Sequence, residues 1–330
     1  MNSKKLLIAA RNIGITFLLA TAIGIGALAA DYYSFSSVTQ PGSQNFNLGQ
    51  NGLWLGSKWY HGKVSDSDLK QIAELLNREQ IAFAYFHCRD IDAKGNLRFG
   101  APKSANKFID FLHRECPKTK IIAWIGAVGP NMHGEVNLNS PQVRARMAEQ
   151  AAMLVQSCGY DGVQWDFEYC INDDPSFMDL LKLTRTSLPA GSMLSAAVPF
   201  SWNPDYIGRV SLLTDQIAIM AYDTVCFLPR WYAGYMKDLV IRYANAIADH
   251  GAQCKLMIGV PTYEDVTALH HKQAENLKVA LVGVKDALAD PTCKRQAVLG
   301  IAPYAEWTTD AEEWNTYNKW WLCDQSTKKP

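Results

Sequence analysis

The chain has 330 residues, of which 48% are hydrophobic, 19% charged and 11% aromatic. That apolar fraction supports a large packed core and excludes a disordered chain. Lysine plus arginine and aspartate plus glutamate each number 32. Nothing in that balance favours a nucleic-acid partner, which usually meets a strongly basic face.

The first segment, residues 1–30, carries Lys4, Lys5 and Arg11 with no acid, then an apolar run closing on Ala27-Leu28-Ala29-Ala30. A basic start, an apolar stretch and small residues at its end mark a secretory signal, cut after Ala29 or Ala30. The apolar run is also close to the roughly 20 residues that span a bilayer, so an uncut anchor is the alternative. The expected location is secreted or periplasmic, with membrane contact only if the segment stays uncut. Gly24-Ile25-Gly26 with Ala29 imitates a dinucleotide fingerprint, but no strand precedes it.

Residues 31–50, rich in Ser, Gln, Asn and Gly, read as a loose leader. From 51 to 330 short apolar runs alternate with longer amphipathic ones. Strands are predicted to begin near Leu53, Ile81, Lys120, Asp161, Met193, Gln216, Lys255 and Ala297. Helices are predicted near 66–79, 104–115, 140–157, 174–187, 203–212, 233–250, 273–289 and 309–319. Ser65-Asp66-Ser67-Asp68 supplies cap residues for the first of these, and Gly251 suits the end of the sixth. Eight strand–helix units with no linker predict a single-domain (β/α)8 TIM barrel of the α/β class. Runs such as 121–125 and 217–221 are apolar almost throughout, as strands covered on both faces must be. An open doubly wound sheet is the alternative, but no glycine-rich phosphate turn follows the first strand.

In such a barrel the C-terminal strand ends carry the chemistry. The fourth strand reads Asp161-Gly162-Val163-Gln164-Trp165-Asp166-Phe167-Glu168. Side chains alternate along a strand, so Gln164, Asp166 and Glu168 share one face. Val163, Trp165 and Phe167 form an apolar face fit to pack on helices, so the polar face must point into the barrel. Two carboxyls on one face do not both ionise cheaply, and a carboxyl kept protonated near neutral pH is what a general acid needs. A satisfied buried network or a metal pair are the competing readings.

This stretch resembles the DxxDxDxE motif of glycoside hydrolase family 18, the chitinases and endo-β-N-acetylglucosaminidases. Asp161, Asp166 and Glu168 match, and Gln164 stands where the family often has a second aspartate. Met220-Ala221-Tyr222-Asp223 matches the family's sixth-strand Met-x-Tyr-Asp, and 195–199 and 259–263 look like its fifth and seventh strands. The third strand departs, with Trp124-Ile125-Gly126-Ala127 in place of Ser-x-Gly-Gly.

The resemblance, that of a divergent bacterial member, implies a hydrolase of β-1,4-linked N-acetylglucosamine glycans acting with retention through the substrate's own acetamido group. Glu168 would be the acid and base. Asp166 would hold the acetamido N–H and Tyr222 its carbonyl. Asp223, Met220 and Gln164 would contact substrate. Trp307, with Trp314 as rival, would offer a flat apolar floor to the sugar. A barrel that binds glycans as a lectin without cleaving them is the alternative. There is no HExxH, GxSxG or P-loop lysine, and the adjacent His270 and His271 tend to point apart, so no metal and no cofactor is expected. His87-Cys88, ending the second strand, reads as packing.

Eight cysteines follow the export signal. The predicted barrel puts Cys116 beside Cys158 and Cys254 beside Cys293 at its lower face, so disulfides Cys116–Cys158 and Cys254–Cys293 are expected. Free, buried cysteines acting as small hydrophobes are the alternative.

Overall fold

The computed structural model describes residues 3–38, 40–62, 64–102, 105–168 and 170–323. Eight parallel strands pair in chain order, each with the next. They are β1 (Asn51–Leu55), β2 (Ile81–Asp90), β3 (Lys120–Val128), β4 (Gly162–Glu168), β5 (Met193–Pro199), β6 (Gln216–Met220), β7 (Lys255–Pro261) and β8 (Val298–Tyr304). The ring completes where β1 lies against β8, and Glu306 N–H donates to the Trp54 carbonyl at 2.9 Å. This is the (β/α)8 barrel the alternation predicts.

Leading the chain is α1 (Ser3–Val38). The outer helices are α2 (Asp66–Arg78), α3 (Ala105–Glu115), α4 (Pro141–Cys158), α5 (Pro175–Ser187), α6 (Pro204–Ser211), α7 (Pro229–Asp249), α8 (Leu277–Ala289) and α9 (Ala311–Tyr317). Their starts follow local chemistry. The Ser65 hydroxyl accepts from Asp68 N–H while Asp68 accepts from Ser65 N–H, a reciprocal cap that contributes about 1 kcal/mol. Proline opens α4, α5, α6 and α7, where the absent N–H would have had no helical partner. That is why α7 begins four residues before its apolar pattern does. Gly251 follows α7 with φ +66, the left-handed geometry of a helix stop.

Strand alternation divides the apolar residues into two cores. Leu53, Ile121, Val163, Trp165 and Ile301 face the helices. Trp54, Tyr85, Ile122, Trp124, Met257 and Ala302 fill the interior. The Trp165 indole reaches α5 and donates to Thr184 Oγ1 at 3.0 Å. Asp161, at the foot of β4, accepts from Ile121 N–H at 2.7 Å and pairs with His113 at 2.9 Å. It therefore ties strands together far from the upper mouth.

Two expectations are corrected. Residues 31–38 are not loose but continue α1, with Phe35 buried against the barrel and Asp31 paired with Arg230 of α7 at 2.7 Å. The apolar part of α1, Ile8–Phe35, is long and apolar enough to cross a membrane and is compatible with a signal segment. All eight cysteines are free thiols. The proposed partners turn to other groups: Cys116 lies 3.5 Å from Asn77 Nδ2 and from the Ala73 carbonyl, and Cys254 lies 3.5 Å from Thr214 Oγ1. Six of the eight are buried, as small apolar side chains are.

Candidate active site

A cleft of about 430 Å³ opens at the C-terminal ends of the strands. Its walls include Asp166 and Glu168 from β4, Met220 from β6, Tyr222 and Asp223 just after it, and Trp307 beyond β8. These six are the residues the sequence nominated around the motif, together with Gln164. Gln164 lies elsewhere. It is fully buried one layer deeper, where its Oε1 accepts from Trp54 Nε1 at 2.8 Å and its Nε2 donates to Ser195 Oγ at 3.0 Å. Both ends of its amide are engaged, and it does not reach the cleft wall. Trp314, the rival aromatic, packs against the core and Tyr317.

Asp166 is buried, and its Oδ2 accepts from the Trp124 indole N–H at 2.9 Å. Its Oδ1 is also buried and, among the described residues, has no partner, an arrangement that ordinarily costs about 1–3 kcal/mol and calls for a ligand or a proton. Burial, then the Glu168 charge, push the Asp166 pKa up to about 7, against the Trp124 hydrogen bond. Glu168 stands at the mouth, reachable from solvent. Desolvation by the cleft, then the charges of Asp223 and Asp90, raise its pKa too. The Glu168 charge acts on Asp166, so the two carboxyls titrate together rather than independently.

Sequence reasoning missed Asp90 and Tyr304, and it read His87 as packing, which is the part His87 plays. Asp90, at the end of β2, adds the third negative charge acting on this pair. Gly126 makes room for it, since a Cβ there would lie 2.7 Å from Asp90 Oδ1. His87 stacks on Trp124 with ring centres 4.3 Å apart, and burial drives its pKa down to about 4, so it is a neutral buttress for the indole. Tyr304 occupies the centre of the cleft, stacked on Tyr222 at 5.1 Å and edge-on to Trp54, Trp124, Tyr263 and Trp307. Trp307 itself is half exposed at the rim. Strand parity could have found Tyr304, because Gly300, Ala302 and Tyr304 share the inward face of β8.

Tyr222 is buried, and among the described residues its hydroxyl has no hydrogen-bond partner, which leaves it for a ligand. Asp223 accepts from the Tyr263 hydroxyl at 2.6 Å. Burial works to raise its pKa, but that bond and His270 prevail and hold it low, so Asp223 is ionised.

Carboxyls at the C-terminal mouth of a closed barrel, under an aromatic lining, stand where enzymes of this fold carry their chemistry. Residues 58–329 match the family model described as "Glycosyl hydrolases family 18". The chain belongs to that family.

Solved structures share the fold at low identity. A chitinase from Bacteroides thetaiotaomicron is 15% identical with a TM-score of 0.56, covering 81% of this chain and 93% of its own. The Bacillus cereus spore cortex-lytic enzyme SleL is 14% identical with a TM-score of 0.56, covering 82% and 74%. A Cycas revoluta chitinase in complex with (GlcNAc)4 is 12% identical with a TM-score of 0.53, covering 78% and 94%.

Proposed function

We propose that the protein is an exported glycoside hydrolase that cleaves β-1,4-linked N-acetylglucosamine glycans with retention, through the substrate's acetamido group. The observation that carries this reading is the unpartnered, buried Oδ1 of Asp166 beside Glu168. An acetamido N–H is a neutral donor of the right kind for that oxygen. Accepting it favours the ionised form of Asp166, so binding sends the proton to Glu168, where it is needed.

Glu168 then gives its proton to the glycosidic oxygen as the bond to the anomeric carbon breaks. The acetamido oxygen attacks that carbon, and Asp166 stabilises the cationic ring that forms. Tyr222 donates to the acetamido carbonyl before attack. Water next adds to the anomeric carbon, giving its proton back to Glu168 and releasing the acetamido group. Two inversions leave the configuration unchanged. Met220 lines this wall, Asp223 orients the sugar, and Tyr304 with Trp307 offers apolar faces to its C–H bonds.

Family membership supports the hydrolase class, and the relatives named as chitinases or bound to (GlcNAc)4 support the substrate class. Glu168→Gln should abolish release of products from GlcNAc oligomers while binding them and folding as the parent does. Full turnover by that variant refutes the assignment. Binding without turnover by the parent itself identifies a lectin. Export predicts a mature N-terminus just after Ala29 or Ala30, read by N-terminal sequencing.

A further inference from the structure

Beside the cleft, the loop after β6 takes an unfavourable path. Asp223 and Val225 both adopt left-handed φ angles, +56 and +64, which a β-branched residue such as Val225 strongly disfavours. The loop between β7 and α8 holds it there. Glu275, fully buried, accepts from Thr224 N–H, the Thr224 hydroxyl and Cys226 N–H at 2.8–3.1 Å. Val225 N–H donates to the Leu269 carbonyl at 3.0 Å. Between the two loops lies His270, also fully buried, its ring stacked on Tyr263 at 4.1 Å.

Each His270 nitrogen faces acceptors only. Nε2 lies 3.2 Å from the Tyr263 carbonyl, and Nδ1 lies 3.5 Å from both Asp223 Oδ1 and Glu275 Oε2. Among the described residues Nδ1 makes no hydrogen bond, but the two carboxylate oxygens before it favour hydrogen there as well as on Nε2, the cationic form of the ring. Without it, buried Glu275 and half-exposed Asp223 would face each other with no compensating charge.

We propose that His270 is a positioning residue: a buried imidazolium that clamps Asp223 to Glu275 and so fixes the sugar-orienting carboxylate and its strained loop. The role in turnover rests on the proposed hydrolase reading; the clamp does not. Burial alone would lower the pKa of His270, but the carboxylates outweigh it and hold it up at about 9. The clamp is therefore complete at neutral pH and lost as pH rises through about 9. The other titratable groups around it are Tyr263 of the β7 end, Tyr232 of α7 and Cys226 of the β6 loop. All three are pushed upward, with burial the largest cause.

The test has two arms on the full chain. In ¹⁵N-histidine NMR, one imidazolium should persist at pH 8, titrate near 9 and vanish in His270→Gln. In Glu275→Gln its midpoint should drop by about one unit or more. In the second arm, His270→Gln should lower kcat/KM on (GlcNAc)4 at least tenfold at pH 6, mostly in kcat, with the thermal transition still cooperative. A neutral His270 at pH 7.5 in the NMR arm overturns the proposal. So does wild-type kcat/KM in a folded His270→Gln, or a cluster that binds zinc in place of the proton. If the parent protein does not hydrolyse (GlcNAc)4, the hydrolase reading fails while the NMR arm still decides the clamp.

Discussion

Among the described residues, the bond from Trp124 is the one hydrogen bond that holds the Asp166 carboxylate, the group that would stabilise the reacting sugar. Trp124→Phe removes the indole N–H, 2.9 Å from Asp166 Oδ2, and keeps most of the ring that His87 packs against. A hydrogen bond to a charged group contributes about 1.5–3 kcal/mol. At about 1.4 kcal/mol per tenfold, its loss predicts a fall in kcat/KM of roughly 10- to 150-fold if Asp166 is ionised in the transition state. The sign on titration is fixed as well. Trp124 lowers the Asp166 pKa, so the variant raises it, and the proton moves from Glu168 towards Asp166. The acid limb of the kcat/KM profile should move to higher pH. Asp166 already holds its proton more tightly folded than unfolded, so its ionisation costs stability as pH rises from about 4 to about 7, and Trp124→Phe should steepen that loss. The assay is hydrolysis of (GlcNAc)4 from pH 4 to 9, with thermal unfolding over the same range. A variant with the parent's kcat/KM and an unmoved acid limb refutes a catalytic role for this bond.

Asp90 raises the pKa of both Asp166 and Glu168 by its charge. In Asp90→Asn the pair should release its proton at lower pH, moving the basic limb of the same profile down by roughly half a unit or more. An unmoved or rising limb would separate Asp90 from the pair. The thiols make a different test. Denatured, unreduced protein should react with a thiol reagent at all eight cysteines, and the native protein should react chiefly at half-buried Cys226 and Cys323. Burial pushes Cys88 and Cys254 up to about 12 and Cys116 to about 11, so their thiolates are scarce. Four or fewer reactive thiols after denaturation would reinstate the disulfides.

The barrel was legible because its signals are local. A period-2 strand between helical runs is written in seven or eight consecutive residues, and the fourth strand's polar and apolar faces separate as its alternation requires. The supports of the site are not local. Trp124 is 42 residues from Asp166, and Glu275 is 51 from Thr224; no spacing rule links such pairs. At β8 aromatic identity picked out Trp307, which lines the cleft, and passed over Tyr304, which strand parity would have added. The cysteines failed for a geometric reason. A barrel places a residue at its upper or lower face, but a disulfide needs Cβ atoms about 3.8 Å apart with matched directions, and Cys116 and Cys254 are turned towards other partners.

The amide at position 164 changes what lies beneath the reacting pair. Gln164 belongs to an uncharged chain across the interior: Trp54 donates to it, it donates to Ser195, and Ser195 and Tyr85 both donate to Gln216. A carboxylate there could accept from Trp54 but could not donate to Ser195, and would bring an unpaired charge into a fully buried layer. An amide holds the layer together but cannot take a proton. A proton near Asp166 thus has two places to reside, Asp166 and Glu168, and the choice between them falls to what surrounds those two alone. Trp124 favours ionised Asp166 from one side, and a substrate N–H on the free Oδ1 would favour it from the other. In the proposed reaction, the neutral floor would make the delivery of the proton to Glu168 depend on occupancy of the cleft.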